Sequence, residues 1–231
     1  MKFSLIIPAY NEEKRIERTL DKFSKFFDKK LDYEIIVIMD GCTDRTPEIV
    51  KNKAKKNKHI KYFIYPKKRG KGWALLKGFL ISKGEYIAYT DADGSTPPEE
   101  IFKLLRLIGN YDGVIGSRWL KDSVLLKKQP FIRRIAGRGF NLLTRIILGL
   151  PYKDTQCPAK LFKSDTAKTV AKNLDVVNFA IDACILFMAK KYGYKIKEVP
   201  ITWKDKPMST LKIWKVIPSM FFTIIKIRVK N

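Results

Sequence analysis

Short apolar runs that end in turn residues alternate, through the first half of the chain, with segments whose apolar positions recur every three to four residues. Phe3–Pro8, Glu34–Met39, Ile60–Tyr65, Tyr86–Thr90 and Gly113–Gly116 have the length and boundaries of buried strands. Between them, Glu12–Phe27, Thr46–Lys56, Gly72–Ser82 and Pro97–Ile108 carry the helical period. Pro47 and Pro97–Pro98 fall at helix starts, with Thr46 and Thr96 at N-cap positions. Strand–helix alternation with short connections predicts an α/β fold with a mostly parallel sheet covered by helices. Such sheets bind ligands beyond the carboxyl ends of their strands.

Two segments depart from this pattern. Phe131–Leu150 interleaves Phe131, Ile132, Ile135, Leu142, Leu143, Ile146 and Ile147 with Arg133, Arg134, Arg138 and Arg145. Ile213–Ile227 carries Ile213, Trp214, Ile217, Phe221, Phe222, Ile224, Ile225 and Ile227, flanked by Lys212, Lys215, Lys226, Arg228 and Lys230. Neither holds the ~20 uninterrupted apolar residues that span a bilayer. Both fit helices lying in a membrane interface, apolar face down and cations at the headgroups, and both equally fit helices packed on the sheet.

Composition adds a compartment and a charge. The chain has 231 residues, 45% apolar and 12% aromatic, which excludes a disordered protein and suits a single domain with a sizeable core. Three scattered cysteines, Cys42, Cys157 and Cys184, exclude a disulfide scaffold and point to a reducing cytoplasm. The N-terminus, with only a six-residue apolar run before a polar break, does not read as a signal peptide. The formal charge is +24, concentrated in residues 51–77, 118–145 and 204–231. Such an excess attracts nucleic acid, anionic membranes or phosphorylated ligands. Nucleic acid is disfavoured, because acids cluster where a groove would lie and no recognised binding module is present.

Those acids sit at strand ends. The first strand ends in Pro8-Ala9-Tyr10-Asn11-Glu12, the second in Asp40-Gly41-Cys42-Thr43-Asp44, the fourth in Asp91-Ala92-Asp93-Gly94. Two carboxylates one residue apart can hold Mg²⁺ or Mn²⁺ while leaving positions for phosphate oxygens and water. Asp93 is the expected direct ligand, with Asp91 nearer the sugar or ribose.

Taken together, PAYNEE, DGCTD, RGKGWA and DADG, in this order, resemble the family 2 glycosyltransferases over nearly the whole chain. Gly116-Ser117-Arg118, Asp154-Thr155-Gln156-Cys157 with Lys160-Leu161-Phe162, and Phe179-Ala180-Ile181-Asp182 are similar to the branch that makes dolichyl-phosphate sugars. DTQCxxKLF is most similar to its glucose-transferring members. The resemblance implies a Rossmann-like GT-A fold, with residues 1–117 binding a UDP- or GDP-hexose and residues 118–231 forming the acceptor side. It implies inversion at the anomeric carbon and a divalent metal at Asp91 and Asp93. Pro8, Ala9, Tyr10, Glu12 and Asp40 would hold the nucleotide, with Lys71 and Asp91 also on the donor. Arg118 would meet phosphate, and Lys71 and Lys160 would share in stabilising the charge that develops on the diphosphate.

The acceptor expected from this branch is a polyprenyl phosphate, met by a protein peripheral to the cytoplasmic face of an anionic membrane. A lipid monophosphate carries its own anionic oxygen, its second pKa being about 6 by analogy with phosphoesters, whereas a hydroxyl acceptor needs a base. Asp182 therefore positions the acceptor, or acts as base if a soluble or glycan hydroxyl is the acceptor. The chain departs from the family pattern at Cys42, where Ser is common, and at Cys184, where a second acid often stands. It also departs at Lys206-Pro207-Met208-Ser209-Thr210, where Lys204, Lys206 or Lys212 would have to take up the acceptor phosphate.

Overall fold

The computed structural model describes residues 2–127, 131–204 and 213–230. The first half runs β1 (Lys2–Ala9), α1 (Ile16–Phe27), β2 (Asp32–Asp40), α2 (Thr46–Lys56), β3 (Ile60–Tyr65), α3 (Lys71–Ile81), β4 (Tyr86–Tyr89), α4 (Pro98–Arg106) and β5 (Gly113–Ser117). Then come β6 (Val124–Lys127), α5 (Phe131–Leu148), β7 (Lys160–Lys163), α6 (Ser164–Lys172), α7 (Ile181–Lys191), β8 (Ile196–Pro200), β9 (Thr202–Lys204) and α8 (Ile213–Lys230).

Seven strands form one sheet in the order β3-β2-β1-β4-β7-β5-β8, and β6 pairs with β9 beside it. The sheet is parallel except for β7, which runs antiparallel to both β4 and β5. Both faces are covered. Phe3, Leu5 and Ile7 of β1 join one core with α1, α2 and α4, while Ile6 joins the other with α3, α6 and α7. That alternation is why the strands read as continuous apolar runs.

The first-half elements follow the predicted order, and several ends move for visible reasons. Helix α1 starts at Ile16, not Glu12, because Asn11 takes a left-handed backbone (φ 54°) and Glu12 closes a turn on Arg15. Thr46 does not cap α2; its hydroxyl accepts the Glu12 N–H at 2.7 Å, and Asp44 accepts the Thr46 N–H at 3.0 Å. Thr96 likewise does not cap α4, which begins at Pro98 after Pro97. Beyond residue 150 the short elements β7, α6, α7, β8 and β9 lie outside the predicted set.

Helices α5 and α8 pack against each other and bury one side only. On α8, Met220, Ile224 and Ile227 enter the core, whereas Phe222, Ile225 and Val229 are exposed. On α5, Leu148 is buried while Leu142, Leu143 and Ile146 are exposed. The packed reading therefore holds for the buried side of each helix, and the opposite side leaves apolar residues exposed. No described helix is long and apolar enough to cross a membrane.

Candidate active site

The carboxyl ends of β1, β2 and β4 share one rim of the sheet, because these strands are parallel neighbours. Asn11 is fitted to its left-handed turn by its side chain, which donates to Thr43 Oγ1 and accepts the Thr43 N–H, joining the β1 and β2 ends. Asp40 accepts the N–H groups of Arg69 (2.8 Å) and Gly70 (2.6 Å), so its carboxylate fastens the loop before α3. Lys68 on that loop stands 3.5 Å from the ring centre of the exposed Tyr10. Pro8 and Ala9 close the end of β1, Ala9 buried and Pro8 half-buried.

Glu12 forms a two-point pair with Arg15 (2.7 and 2.8 Å). Burial nonetheless pushes its carboxyl up to about 7; Arg15 opposes that shift, while Asp93 and Asp91 add to it. Asp93 accepts the Ser95 N–H with Oδ1 at 2.8 Å. Asp91 is raised as well, by burial first, with Lys71 opposing and Asp93 reinforcing. No set of three or more metal-ligating side chains gathers among the described residues. Two adjacent, mutually repelling carboxylates still suit a hard cation whose remaining ligands are phosphate oxygens and water.

Behind this rim lies a buried ionic chain. Lys71 bridges Asp91 (2.9 Å) and Asp182 (3.1 Å). Burial disfavours its ammonium, but the two carboxylates outweigh that and hold its pKa above the usual lysine value. Asp182, in the first turn of α7, uses its carboxylate on side chains, not on the helix end. Tyr89 donates to Oδ1 at 2.8 Å, Lys160 lies 3.4 Å from Oδ1, and Lys71 holds Oδ2. Burial alone would raise Asp182; Lys71, Lys160 and the Tyr89 hydroxyl reverse this and leave it below the ordinary carboxylate value.

Lys160 is fully buried, and its amine also donates to the carbonyls of Thr155 (3.2 Å) and Cys157. It is placed to hold Asp182. Arg118 is committed in the same manner. Its guanidinium makes a two-point pair with the buried Asp154 (2.7 and 2.9 Å) and lies over Trp203. Asp154 is held below its usual value, because Arg118 overcomes the effect of burial. The structure therefore brings Glu12, Lys71, Asp91, Asp93 and Asp182 together, and turns Asp40, Arg118 and Lys160 inward as struts. Lys204 is exposed at the end of β9, while Lys206–Thr210 and Lys212 lie outside the described residues. Tyr89 and Asp154, partners of Asp182 and Arg118, had no role assigned from the sequence. Tyr89 hides in an apolar strand, and only the acid of DTQC offered a signal.

Residues 4–171 match the family described as glycosyl transferase family 2. This chain belongs to that family. Among its family 2 relatives, dolichyl-phosphate beta-glucosyltransferase of Dictyostelium discoideum is 34% identical over 97% of this chain and 73% of its own length. The enzyme of that name from Homo sapiens is 28% identical over 87% of this chain and 67% of its own length. Glucosyl-3-phosphoglycerate synthase from Mycobacterium tuberculosis, solved with Mn²⁺, UDP-glucose and phosphoglyceric acid, superposes with a TM-score of 0.73 at 16% identity. The match covers 99% of this chain and 80% of that one, and gives the fold as the GT-A type.

Proposed function

We propose that this glycosyltransferase moves glucose from UDP-glucose to a polyprenyl phosphate of the dolichyl type, with inversion, at a membrane surface. The observation that carries the acceptor class is the state of Asp182. Its carboxylate is ionised and occupied by two lysines and a tyrosine, so it has little tendency to take a proton from an attacking hydroxyl. An acceptor that brings its own anionic oxygen needs no base. The names of the relatives and the UDP-glucose complex of a structural neighbour support the sugar and the nucleotide.

In this reading the phosphate oxygen of the lipid attacks the anomeric carbon while the bond from that carbon to the diphosphate breaks, its electron pair leaving with UDP. Asp91 and Asp93 would hold Mg²⁺ or Mn²⁺, which supplies charge neutralisation on the departing diphosphate. Lys71, anchored between Asp91 and Asp182, adds a fixed positive charge that costs no reorganisation during reaction. Tyr10 and Lys68 at the mouth, with the loop fastened by Asp40, provide the nucleotide side. The exposed Leu142, Leu143, Ile146, Phe222, Ile225 and Val229, accompanied by the exposed Arg138, Lys226, Arg228 and Lys230, suit an anionic membrane surface on the cytoplasmic side.

A panel of labelled nucleotide-sugars, each offered with polyprenyl phosphate and Mn²⁺ or Mg²⁺ and then extracted into organic solvent, tests the assignment. UDP-glucose should give lipid-soluble label. Label from a different sugar alone, or from none, would overturn it.

A further inference from the structure

Each of the two partly exposed helices is tied, through one asparagine, to one of the two lysines that grip Asp182. On α5 the buried Asn141 donates to the Lys153 carbonyl (2.8 Å) and accepts both the N–H (2.9 Å) and the hydroxyl (2.7 Å) of Thr155. The carbonyl of that same Thr155 accepts from Lys160. From the other side, Asn178 donates to Ser219 O (3.0 Å) and Thr223 Oγ1 (2.8 Å) of α8. Its neighbour Val177 accepts the Gly72 N–H at 2.9 Å, next to Lys71. Gly70 (φ 116°) and Gly72 pack so closely on the backbone of residues 176–178 that any side chain there would collide with it. The two connections converge on opposite oxygens of one carboxylate, Oδ2 through Lys71 and Oδ1 through Lys160.

We infer that Asn141 and Asn178 are positioning residues that make the geometry of Asp182 and Lys71 depend on how α5 and α8 are seated, so that docking on a lipid surface activates the site. This rests on the membrane reading above. A device of this kind needs contacts that differ between the seated and unseated states. Each helix has the two faces it would use: a buried face that carries the asparagine contact and an exposed apolar face that a bilayer would load. Couplings between sites are typically 5–150-fold, so the effect is measurable as a rate.

The experiment uses a short-chain, water-soluble prenyl phosphate at saturation, which keeps acceptor partitioning from altering turnover. Turnover with UDP-glucose is compared without vesicles and with vesicles of phosphatidylcholine and phosphatidylglycerol in equal parts, and binding is read separately by flotation. Vesicles should raise kcat by about fivefold or more, the low end of such couplings. Thr223→Val removes the acceptor on α8 without touching the site; it should float as the parent does and lose at least half of the stimulation. Asn141→Ala should do the same from α5, and if it fails to fold, Thr223→Val still decides the matter. Flotation with unchanged kcat, or undiminished stimulation in Thr223→Val, overturns the coupling alone. No flotation overturns the membrane reading, and the coupling with it.

Discussion

Replacing Lys160 with Met separates a strut from a phosphate contact. The substitution keeps an unbranched side chain one atom shorter and removes its charge and its donors. The amine is fully buried, serves Asp182 at 3.4 Å and Thr155 O at 3.2 Å, and also holds Cys157 O. Removing one partner of a buried ion pair costs about 3–5 kcal/mol. Lys71 remains on Asp182, which puts the loss near the lower end, about 3 kcal/mol. In a chain of this size each kcal/mol moves Tm by roughly 2–4 °C, so Lys160→Met should melt about 6–12 °C lower. The sign with pH follows from the depressed pKa of Asp182. Its stabilising contribution is present above the ordinary carboxyl value and is lost as pH falls through the lower folded value. In Lys160→Met that contribution should be smaller and its loss complete at a higher pH. Adding Asp182→Asn should return part of the lost stability, giving a coupling in a double-mutant cycle. Thermal melts by circular dichroism, run beside turnover, read all of this. An unchanged Tm with abolished turnover would refute the strut and return Lys160 to the substrate.

Four further outcomes follow from the same geometry. Asp93→Asn should keep the fold and lower turnover by ~10² or more, the scale of losing one electrostatic stabiliser, as measured by initial rates with Mn²⁺. Arg118→Lys forfeits the two-point pair with buried Asp154, so melting temperature and activity should fall together; loss of activity alone would instead place Arg118 on phosphate. Glu12, pushed up to about 7, favours the folded state fully below its ordinary value of 4.5 and loses that contribution as pH rises through 7. Tm of Glu12→Gln should accordingly fall less than the parent's over that interval. Changing Phe222, Ile225 and Val229 together to Ser should abolish flotation on anionic vesicles with little change in Tm, whereas Met220, Ile224 and Ile227 changed likewise should unfold the chain, at ~2–5 kcal/mol for each buried side chain lost.

The parallel half of the molecule was legible because β1 and β2 are buried on both faces, and Phe3–Pro8 and Glu34–Met39 therefore stand out as apolar runs. Strand β7 was not, since four residues, Lys160 to Lys163, begin and end in lysine and pair only through neighbours distant in sequence. The acids of the rim were legible by type and place. Their partners were not, because Lys160 meets Asp182 only through the antiparallel insertion of β7 between β4 and β5, and Arg118 meets Asp154 across 36 residues of sequence. Asp40 shows the same limit: its position at a strand end was legible, while its hold on the amides of Arg69 and Gly70 was not. For α5 and α8 the period told that each helix is amphipathic. Which apolar residues face out is a matter of packing, and Ile224 is core whereas its neighbour Ile225 is exposed.

The claim that the acceptor supplies its own negative charge is tested most directly by offering two lipids that differ in nothing else. Labelled UDP-glucose, Mn²⁺ and the protein are mixed with a polyprenyl phosphate or with the polyprenol of equal length, and the organic phase is counted. With Asp182 held ionised between Lys71 and Lys160, label should pass to the phosphate and not to the alcohol. Comparable transfer to the polyprenol would require a working base and would contradict the account.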